Sequence, residues 1–124
     1  MLAKKRKKIP KAHKSPKRME RHLKGIANHH RINILLIIDE KKGISLEEII
    51  EKTKANAKTI GEHTRKLYQA GLVNKKYKGR YVVHELSPYG KIFVRFLKSF
   101  SEAIQKIGEE KNFLPLINLL NKND

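Results

Sequence analysis

The residues best suited to contact a ligand lie on one side of a predicted helix at residues 57–70. In this segment Ile60, Thr64, Leu67 and Tyr68 recur at the spacing of one helical face, which we expect to turn toward the core. The opposite face combines cationic and hydrogen-bonding side chains, at Lys58, Thr59, Glu62, Arg65, Lys66 and Gln69. Such side chains contact base edges and phosphates in the major groove of DNA. They are also typical of an ordinary solvated helix face, so both interpretations stay open.

A second group of cations surrounds a predicted hairpin turn. Residues 72–77 and 81–86 are rich in β-branched and aromatic side chains, which favours two strands, and Gly79 lies in the turn between them. The tip of a hairpin cannot be buried. The cations around it are therefore available to a phosphate backbone or a minor groove, and they are Lys75, Lys76, Lys78 and Arg80. Alternatively, charge at this position protects an edge strand from pairing with another chain.

The sequence lacks the patterns of catalytic and metal sites. There is no cysteine, which excludes disulfides and thiolate metal sites. The histidines do not show an i, i+4 or His-Glu spacing typical of metal ligands, and they are His13, His22, His29, His30, His63 and His84. No phosphate-binding loop, paired acid and base or nucleophile can be assembled. We therefore predict a protein that is not an enzyme and holds neither a cofactor nor a metal.

The formal net charge of +17 on 124 residues favours a polyanionic partner, because binding to nucleic acid releases condensed counterions. Residues 1–24 contain eleven Lys or Arg and one acidic residue, for a charge of +10, and the other hundred residues carry +7. Residues 1–18 combine dense charge with two prolines, which predicts a disordered basic tail. The tail is an arm that contacts phosphates, a solubilising segment or a nuclear-import signal.

The bulk composition indicates one domain with tails. Hydrophobic residues make up 39% of the chain, below the roughly 45 to 50% of an average domain. The longest apolar run, residues 34–38, is far shorter than the ~18 residues of a membrane-spanning helix. The amino terminus also lacks the apolar segment of a secretory signal. We therefore expect a soluble, intracellular protein.

Two helices are predicted at the start of the folded region. Ser15 and Pro16 suit the cap and first residue of a helix that runs to about Ala27. Asn28 can cap a second helix, which ends at Lys42-Gly43. The apolar run INILLII within this second helix should form the centre of the core.

Two short helices then follow. Ser45 and Glu48 fit a capping box for a helix of about nine residues. Asn56 caps the next helix, at residues 57–70, and Gly71 ends it with the left-handed residue that such ends favour. Two short capped helices separated by a brief turn are typical of a helix-turn-helix.

A long apolar stripe follows Ser87-Pro88, which suit a helix cap and the first helical residue. It continues through several turns, at Ile92, Phe93, Phe96, Leu97, Phe100, Ala103, Ile104 and Ile107. One small domain does not need all of this surface, so the excess favours dimerisation with a second copy of the chain. After Gly108 comes another apolar face, at Phe113, Leu114, Leu116, Ile117, Leu119 and Leu120. Packing back onto the same chain is the alternative.

The order of these elements resembles the winged helix-turn-helix of bacterial and archaeal transcription regulators, a mainly α fold with a small β-hairpin and here with long C-terminal helices. Within that group the chain is most similar to the arsenic-repressor-type family, over roughly residues 26–100. The segments that carry the resemblance are Ile26-Ala27-Asn28, Arg31-Ile32-Asn33-Ile34-Leu35, Asn56-Ala57-Lys58-Thr59-Ile60, Leu67-Tyr68-Gln69-Ala70-Gly71-Leu72-Val73 and Lys78-Gly79-Arg80-Tyr81-Val82.

The resemblance implies a homodimer with one recognition helix per subunit, residues 57–70, in successive major grooves. The wing, residues 75–81, then lies on the backbone or in the minor groove. Carried over by position, the residues that face bases are Lys58, Thr59, Glu62 and Arg65. Those that face phosphates are Lys66, Lys76, Lys78 and Arg80.

The chain departs from the family pattern at two positions of the recognition helix. Thr64 stands where the family usually has a core leucine, and Gly61 costs the helix up to ~1 kcal/mol relative to alanine. The family's metal-sensing members carry a cysteine pair or a His and Asp/Glu set on the dimer helix, and this chain has neither. His63 resembles a position that packs against the domain body. No small-molecule effector can be identified.

The sequence thus predicts a sequence-specific transcription regulator that binds double-stranded DNA in a prokaryotic cytoplasm, associated with the nucleoid when bound. Its organisation would be a basic tail at residues 1–18, a winged helix-turn-helix domain at 19–87 and dimerising helices at 88–124. The alternative is a basic winged-helix module that binds RNA or serves as a structural subunit of a ribonucleoprotein or polymerase assembly. The basic tail supports this alternative because ordinary repressors do not need one.

Overall fold

The computed structural model describes residues 16–109 of the chain. The elements in chain order are α1 (Pro16–Ile26), α2 (His29–Glu40), β1 (Ile44–Ser45), α3 (Leu46–Thr53), α4 (Ala57–Gln69), β2 (Val73–Lys78), β3 (Tyr81–Leu86) and α5 (Pro88–Glu109). The basic tail up to residue 15 and the apolar segment from residue 110 onward lie outside the described residues. Residues 16–18, which the prediction assigned to the tail, form the first turn of α1, because a proline is well suited to begin a helix.

α2 is the central helix of the core, as the apolar run INILLII predicts. It begins at the Asn28 cap, whose side-chain oxygen accepts hydrogen bonds from the backbone N–H groups of His30 at 2.9 Å and Arg31 at 3.3 Å. Four of its side chains are buried, Ile34, Leu35, Ile37 and Ile38. The other helices and β3 all pack against it. α2 ends at Glu40, two residues before the predicted Lys42-Gly43 stop.

The predicted helix-turn-helix is formed by α3 and α4. Ser45 and Glu48 make the capping box of α3, since the Ser45 Oγ accepts from the Glu48 N–H and the Glu48 carboxylate accepts from the Ser45 N–H, both at 3.2 Å. α3 ends at Thr53 and is capped by Lys54, which has a left-handed φ of 55°. The Asn56 side chain then accepts from the N–H groups of Lys58 and Thr59. Caps on both sides therefore define the turn between the two helices.

Gly71 ends α4 in a Schellman motif. Its φ of 78° is the left-handed conformation predicted for this glycine. The Leu72 N–H donates to the Leu67 carbonyl and the Gly71 N–H donates to the Tyr68 carbonyl, both at 3.0 Å. Leu72 is fully buried, so the turn leads from the recognition helix straight through the core into β2.

The sheet has three antiparallel strands in the order β1-β3-β2, where the sequence predicted only the β2-β3 hairpin. The hairpin register pairs Lys78 with Tyr81 next to the turn. β1 pairs Ile44 with His84 on the other edge of β3. A strand of two residues is too short to show an alternating pattern, so only the approach of β3 defines it.

α5 presents a narrow buried face and a broad exposed apolar face. Gly90 and Val94 are buried, and Phe93 and Leu97 pack partly buried against the core. The remaining large apolar side chains are between 41% and 57% exposed, at Ile92, Phe96, Phe100, Ile104 and Ile107. The predicted surplus of apolar surface on this helix is therefore present. Across residues 16–109, no helix combines the length and the apolar character needed to cross a bilayer.

We expect Gly90→Ala to lower the free energy of unfolding by about 1 to 3 kcal/mol, the usual cost of overpacking. A Cβ at position 90 would collide with the backbone carbonyl oxygen of Leu72. That oxygen is held in place because it accepts from the Ser87 N–H at 3.0 Å. Urea unfolding followed by circular dichroism measures the loss.

Gly61→Ala is the matched control for this prediction. Its Cβ would meet only the Leu46 Cδ2 atom, at an ordinary distance of 3.9 Å. Alanine at this helical position should leave stability unchanged or raise it by up to ~1 kcal/mol. Equal losses in the two variants would show that the contact at Leu72 is not the cause.

Candidate nucleic-acid interface

α4 buries one side and exposes the other, as predicted. Ile60, Thr64 and Leu67 are at most 2% exposed. On the opposite side Lys58, Glu62, Arg65 and Lys66 are exposed, and Thr59 is partly buried. The predicted contact residues of the recognition helix therefore share one accessible surface.

Thr64 is accommodated in the core by a local hydrogen bond. Its Oγ1 donates to the carbonyl oxygen of Ile60 at 2.8 Å, so the buried hydroxyl is satisfied within the helix. The substitution of threonine for the family's usual leucine therefore leaves α4 packed on the core.

Tyr68 was predicted to face the core, and this prediction is wrong. The side chain is 46% exposed, and the Lys75 ammonium lies 4.5 Å from the centroid of its ring. The core beside the end of α4 is filled by Leu67 and by Leu72 of the turn that follows the helix. The Tyr68 ring is left at the surface, where β2 passes beside it.

The two faces of the wing carry different cations. Alternate residues of a strand share a face, so Lys75 and Tyr77 lie on one side of β2, and Lys76 and Lys78 lie on the other. The Lys75 side is the one that contacts Tyr68 of α4. On the other side the Lys76 Nζ pairs with Glu85 at 3.3 Å. Of the predicted phosphate contacts, Lys76 is thus partly neutralised and directed away from the recognition helix.

The remaining cations of the interface are not paired. Among residues 16–109, no ion pair involves Lys58, Arg65, Lys78 or Arg80, and each of these side chains is exposed. Exposed, unpaired cations can bind phosphate oxygens without first breaking an internal ion pair.

Arg31 connects the recognition helix to the two helices behind it. Its Nε donates to the His63 Nδ1 at 3.1 Å, and its Nη1 donates to the carbonyl oxygens of Lys24 and Gly25, both at 3.2 Å. The His63 ring also stacks on His30, with centroids 5.2 Å apart. His63 therefore packs against the domain body, as the resemblance implies.

Burial lowers the pKa of His63, and the neighbouring Arg31, His30 and Lys66 lower it further. The neutral ring is the form that can accept the hydrogen bond from Arg31. Protonation would remove the acceptor and place a second positive charge beside the guanidinium.

Two further histidines have structural contacts. The His22 Nδ1 lies 2.8 Å from the Ala70 carbonyl oxygen, so this nitrogen must carry the hydrogen, and the ring stacks on Tyr89. The His84 Nδ1 donates to the Ile44 carbonyl oxygen at 3.1 Å, and burial lowers the pKa of His84. Within residues 16–109, no group of three His, Cys, Asp or Glu side chains is arranged to hold a metal ion.

The helical pattern places the exposed side chains of α4 correctly except for Tyr68, and the sequence prediction does not include Lys75 among the contact residues. Tyr68 fell on the apolar side of the helical pattern, and Lys75 was one of several equivalent lysines. The alternation of β2 could have separated the lysines into two faces. Which face adjoins the recognition helix depends on the hairpin's attachment to the core.

A capped helix-turn-helix, followed by a charged hairpin and a helix that closes the core, is the architecture of a winged helix-turn-helix protein. The family model described as bacterial regulatory protein, arsR family, matches residues 28–75. This match confirms the predicted similarity to the arsenic-repressor-type family, and with it the predicted class, a DNA-binding transcription regulator. The matched segment runs from the Asn28 cap into β2. Most of the wing and all of α5 therefore lie beyond the match. No protein with a curated description matches the sequence.

Solved structures with the same fold support the assignment of the architecture. HlyU from Vibrio cholerae N16961 is 24% identical, with a TM-score of 0.61 over 67% of this chain and 90% of that one. The homodimeric winged helix-turn-helix domain of Mb0332 from Mycobacterium bovis is 20% identical, with a TM-score of 0.61 over 77% of this chain and 86% of that one. BpsR from Bordetella bronchiseptica, whose DNA binding is regulated by 6-hydroxynicotinic acid, is 18% identical, with a TM-score of 0.58 over 87% and 86%.

Acidification below about pH 6.5, the ordinary pKa of histidine, should lower the free energy of unfolding. His63 and His84 have lowered pKa values in the folded protein, so the unfolded chain binds more protons between those values and the ordinary one. Stability therefore rises with pH through this window and falls as the pH drops. Urea midpoints between pH 8 and pH 5 measure the dependence.

His63→Gln and His84→Gln should each flatten this pH dependence, whatever their effect on stability at pH 8. The exposed Asn33 on α2, which does not titrate, serves as the control position, and Asn33→Gln should keep the wild-type slope. A wild-type profile that is flat between pH 7 and pH 5 would contradict the prediction.

Proposed function

We propose that the chain is a homodimeric regulator that binds specific sequences in double-stranded DNA, with α4 in the major groove and the wing on the backbone or the adjacent minor groove. The observation that carries the proposal is the accessible polar face of α4, which lies beside a basic hairpin built on the same core. An α-helix fits the major groove of B-DNA, and cations on a neighbouring hairpin can then reach the backbone.

Within this arrangement the predicted contact residues have two roles. The four proposed to face bases are Lys58, Thr59, Glu62 and Arg65. The four proposed to face phosphates are Lys66, Lys78, Arg80 and, with the smallest part because it pairs with Glu85, Lys76. Arginine is the side chain most often used to read guanine, through two parallel hydrogen bonds. We therefore assign Arg65 the main part in specificity and Lys78 a part in affinity alone.

The dimer is supported by the unpartnered apolar face of α5. Phe96 and Phe100 stack on each other at 5.6 Å and are more than half exposed, as are Met19 and Leu23 on α1. α1 and α5 adjoin each other, since His22 stacks on Tyr89. A two-fold contact would bury both apolar surfaces at once. Mb0332, which has the same fold, is a homodimer.

The sequence specificity is tested by changing one residue of each role. Arg65→Ala should relax the preference among duplex sequences and cost about 1 to 3 kcal/mol on the preferred site. Lys78→Ala should weaken all sequences alike and reduce the salt slope by about 1. Selection from random duplex DNA, followed by titrations at several salt concentrations, measures both effects. Binding confined to single strands or structured RNA, or a salt slope near zero, would exclude the proposal.

The dimer is tested by placing charge on the apolar face of α5. Phe96→Glu should convert a dimer into a folded monomer, because the side chain contributes little to the core of its own chain. Light scattering gives the mass, and circular dichroism confirms the fold. Arg95→Glu, on the adjacent exposed position, should leave the mass unchanged. A wild-type monomer at micromolar concentration would contradict the proposal.

A second candidate is a winged-helix module that binds RNA or supports a larger assembly, favoured by the +10 charge of residues 1–24. In that case deletion of residues 1–18 would abolish capture of an RNA-protein assembly, and substitutions on the recognition face would not.

For the regulator we propose action in a prokaryotic cytoplasm and no catalytic role, since the matching family and fold are those of transcription regulators.

A further inference from the structure

Three side chains extend the interface from the end of α4 to the wing tip. The Lys75 ammonium lies over the Tyr68 ring, 4.5 Å from its centroid. Tyr77 lies on the same face of β2, two residues nearer the turn, and is 80% exposed. We call Tyr68, Lys75 and Tyr77 the ridge. It lies on the side of the wing that adjoins the recognition helix.

The contact between Tyr68 and Lys75 restrains a cation that would otherwise sample many conformations. A lysine loses much side-chain entropy when it is ordered, and the ring restricts its motion before any ligand is present. A lysine ammonium has three N–H donors, so Lys75 can lie over the Tyr68 ring and still donate a hydrogen bond to another acceptor. Lys75 is therefore preorganised for an anionic partner next to α4.

The other face of the wing differs in this respect. There Lys76 pairs with Glu85, whose side chain is only 18% exposed. A phosphate approaching that face meets a carboxylate beside the ammonium. No ion pair of Lys75 occurs among residues 16–109. The two neighbouring lysines, equivalent in the sequence, thus differ in both direction and charge environment.

We infer that the ridge holds the sugar-phosphate strand that runs between the groove occupied by α4 and the groove beside the wing. Lys75 donates to a phosphate, and Tyr68 is a positioning residue that acts through Lys75. Tyr77 packs its ring on a deoxyribose and donates its hydroxyl to a phosphate, a type of contact that positions a protein on duplex DNA. This inference rests on the proposed function.

The experiment titrates the full chain against its selected duplex at several salt concentrations. Lys75→Met keeps most of the aliphatic side chain and should weaken binding roughly tenfold, as expected for a lost hydrogen bond to a charged group. The salt slope should fall by about 0.9, because one phosphate contact is lost. Tyr68→Leu should weaken binding less and leave the salt slope unchanged. Tyr68→Leu combined with Lys75→Met should bind like Lys75→Met alone, because Tyr68 acts through the lysine.

Tyr77 is tested in the same assay with two substitutions, one that removes the aromatic ring and one that keeps it. Tyr77→Ala should weaken binding several-fold, and Tyr77→Phe should recover part of that loss, because the ring still covers the sugar. Circular dichroism melting curves confirm that every variant is folded. This is expected, since Tyr68 and Tyr77 are exposed side chains.

Two comparisons decide the result. Lys75→Met should weaken binding more than Lys76→Met, and Lys91→Met, on the exposed side of α5, should bind like the wild type. If the wild type binds no duplex, the result contradicts both the proposed function and the proposed contact of the ridge with DNA. If the wild type binds duplex DNA but Lys75→Met keeps its affinity and salt slope, the ridge alone is overturned.

Discussion

The turn at Gly71 and Leu72 is the contact on which the geometry of this domain depends. The Leu72 N–H donates to the Leu67 carbonyl oxygen at the end of α4. The Leu72 carbonyl oxygen accepts from the Ser87 N–H at the start of α5. The Ser87 hydroxyl donates to the Gly71 carbonyl oxygen at 2.6 Å and accepts from the Gly90 N–H at 3.0 Å. The end of α4 and the start of α5, which are separate in the sequence, are therefore joined within a few residues, and the Leu72 carbonyl oxygen fills the space that a side chain at position 90 would need.

This junction sets the angle between the recognition helix and the wing. The hairpin leaves the core at Val73 and returns at Leu86, its register partner, so its base is fixed on both strands. α4 is fixed at its other end by the Asn56 cap and at its side by the Arg31 hydrogen bond to His63. A helix and a hairpin held in this way keep a fixed relative position, which the proposed contact with two neighbouring grooves requires.

The distribution of charge separates this surface from the rest of the domain. Several acidic side chains pair with lysines away from the recognition face, as Asp39 does with Lys98 and Glu48 with Lys41. The hydrogen bond from Lys41 and the one from the Ser45 N–H lower the pKa of Glu48, which keeps the capping box charged. Near the wing the main acidic partner is Glu85, and it lies on the face opposite Lys75. Among residues 16–109 Lys75 has no ion pair, so the side of the wing that adjoins α4 carries an uncompensated charge.

The sequence by itself determined the local structure. Ser45, Asn56 and Gly71 define helix ends through hydrogen bonds and backbone angles within a few residues, and the apolar periodicity of 32–38 identifies the core helix. Most polar residues of α4 were also predictable, because helical spacing separates the two sides. Only the tertiary structure decided the exposure of Tyr68, the existence of β1 and the difference between Lys75 and Lys76. Each of these depends on which element packs beside a residue that is distant in sequence, and local spacing carries no information about that neighbour.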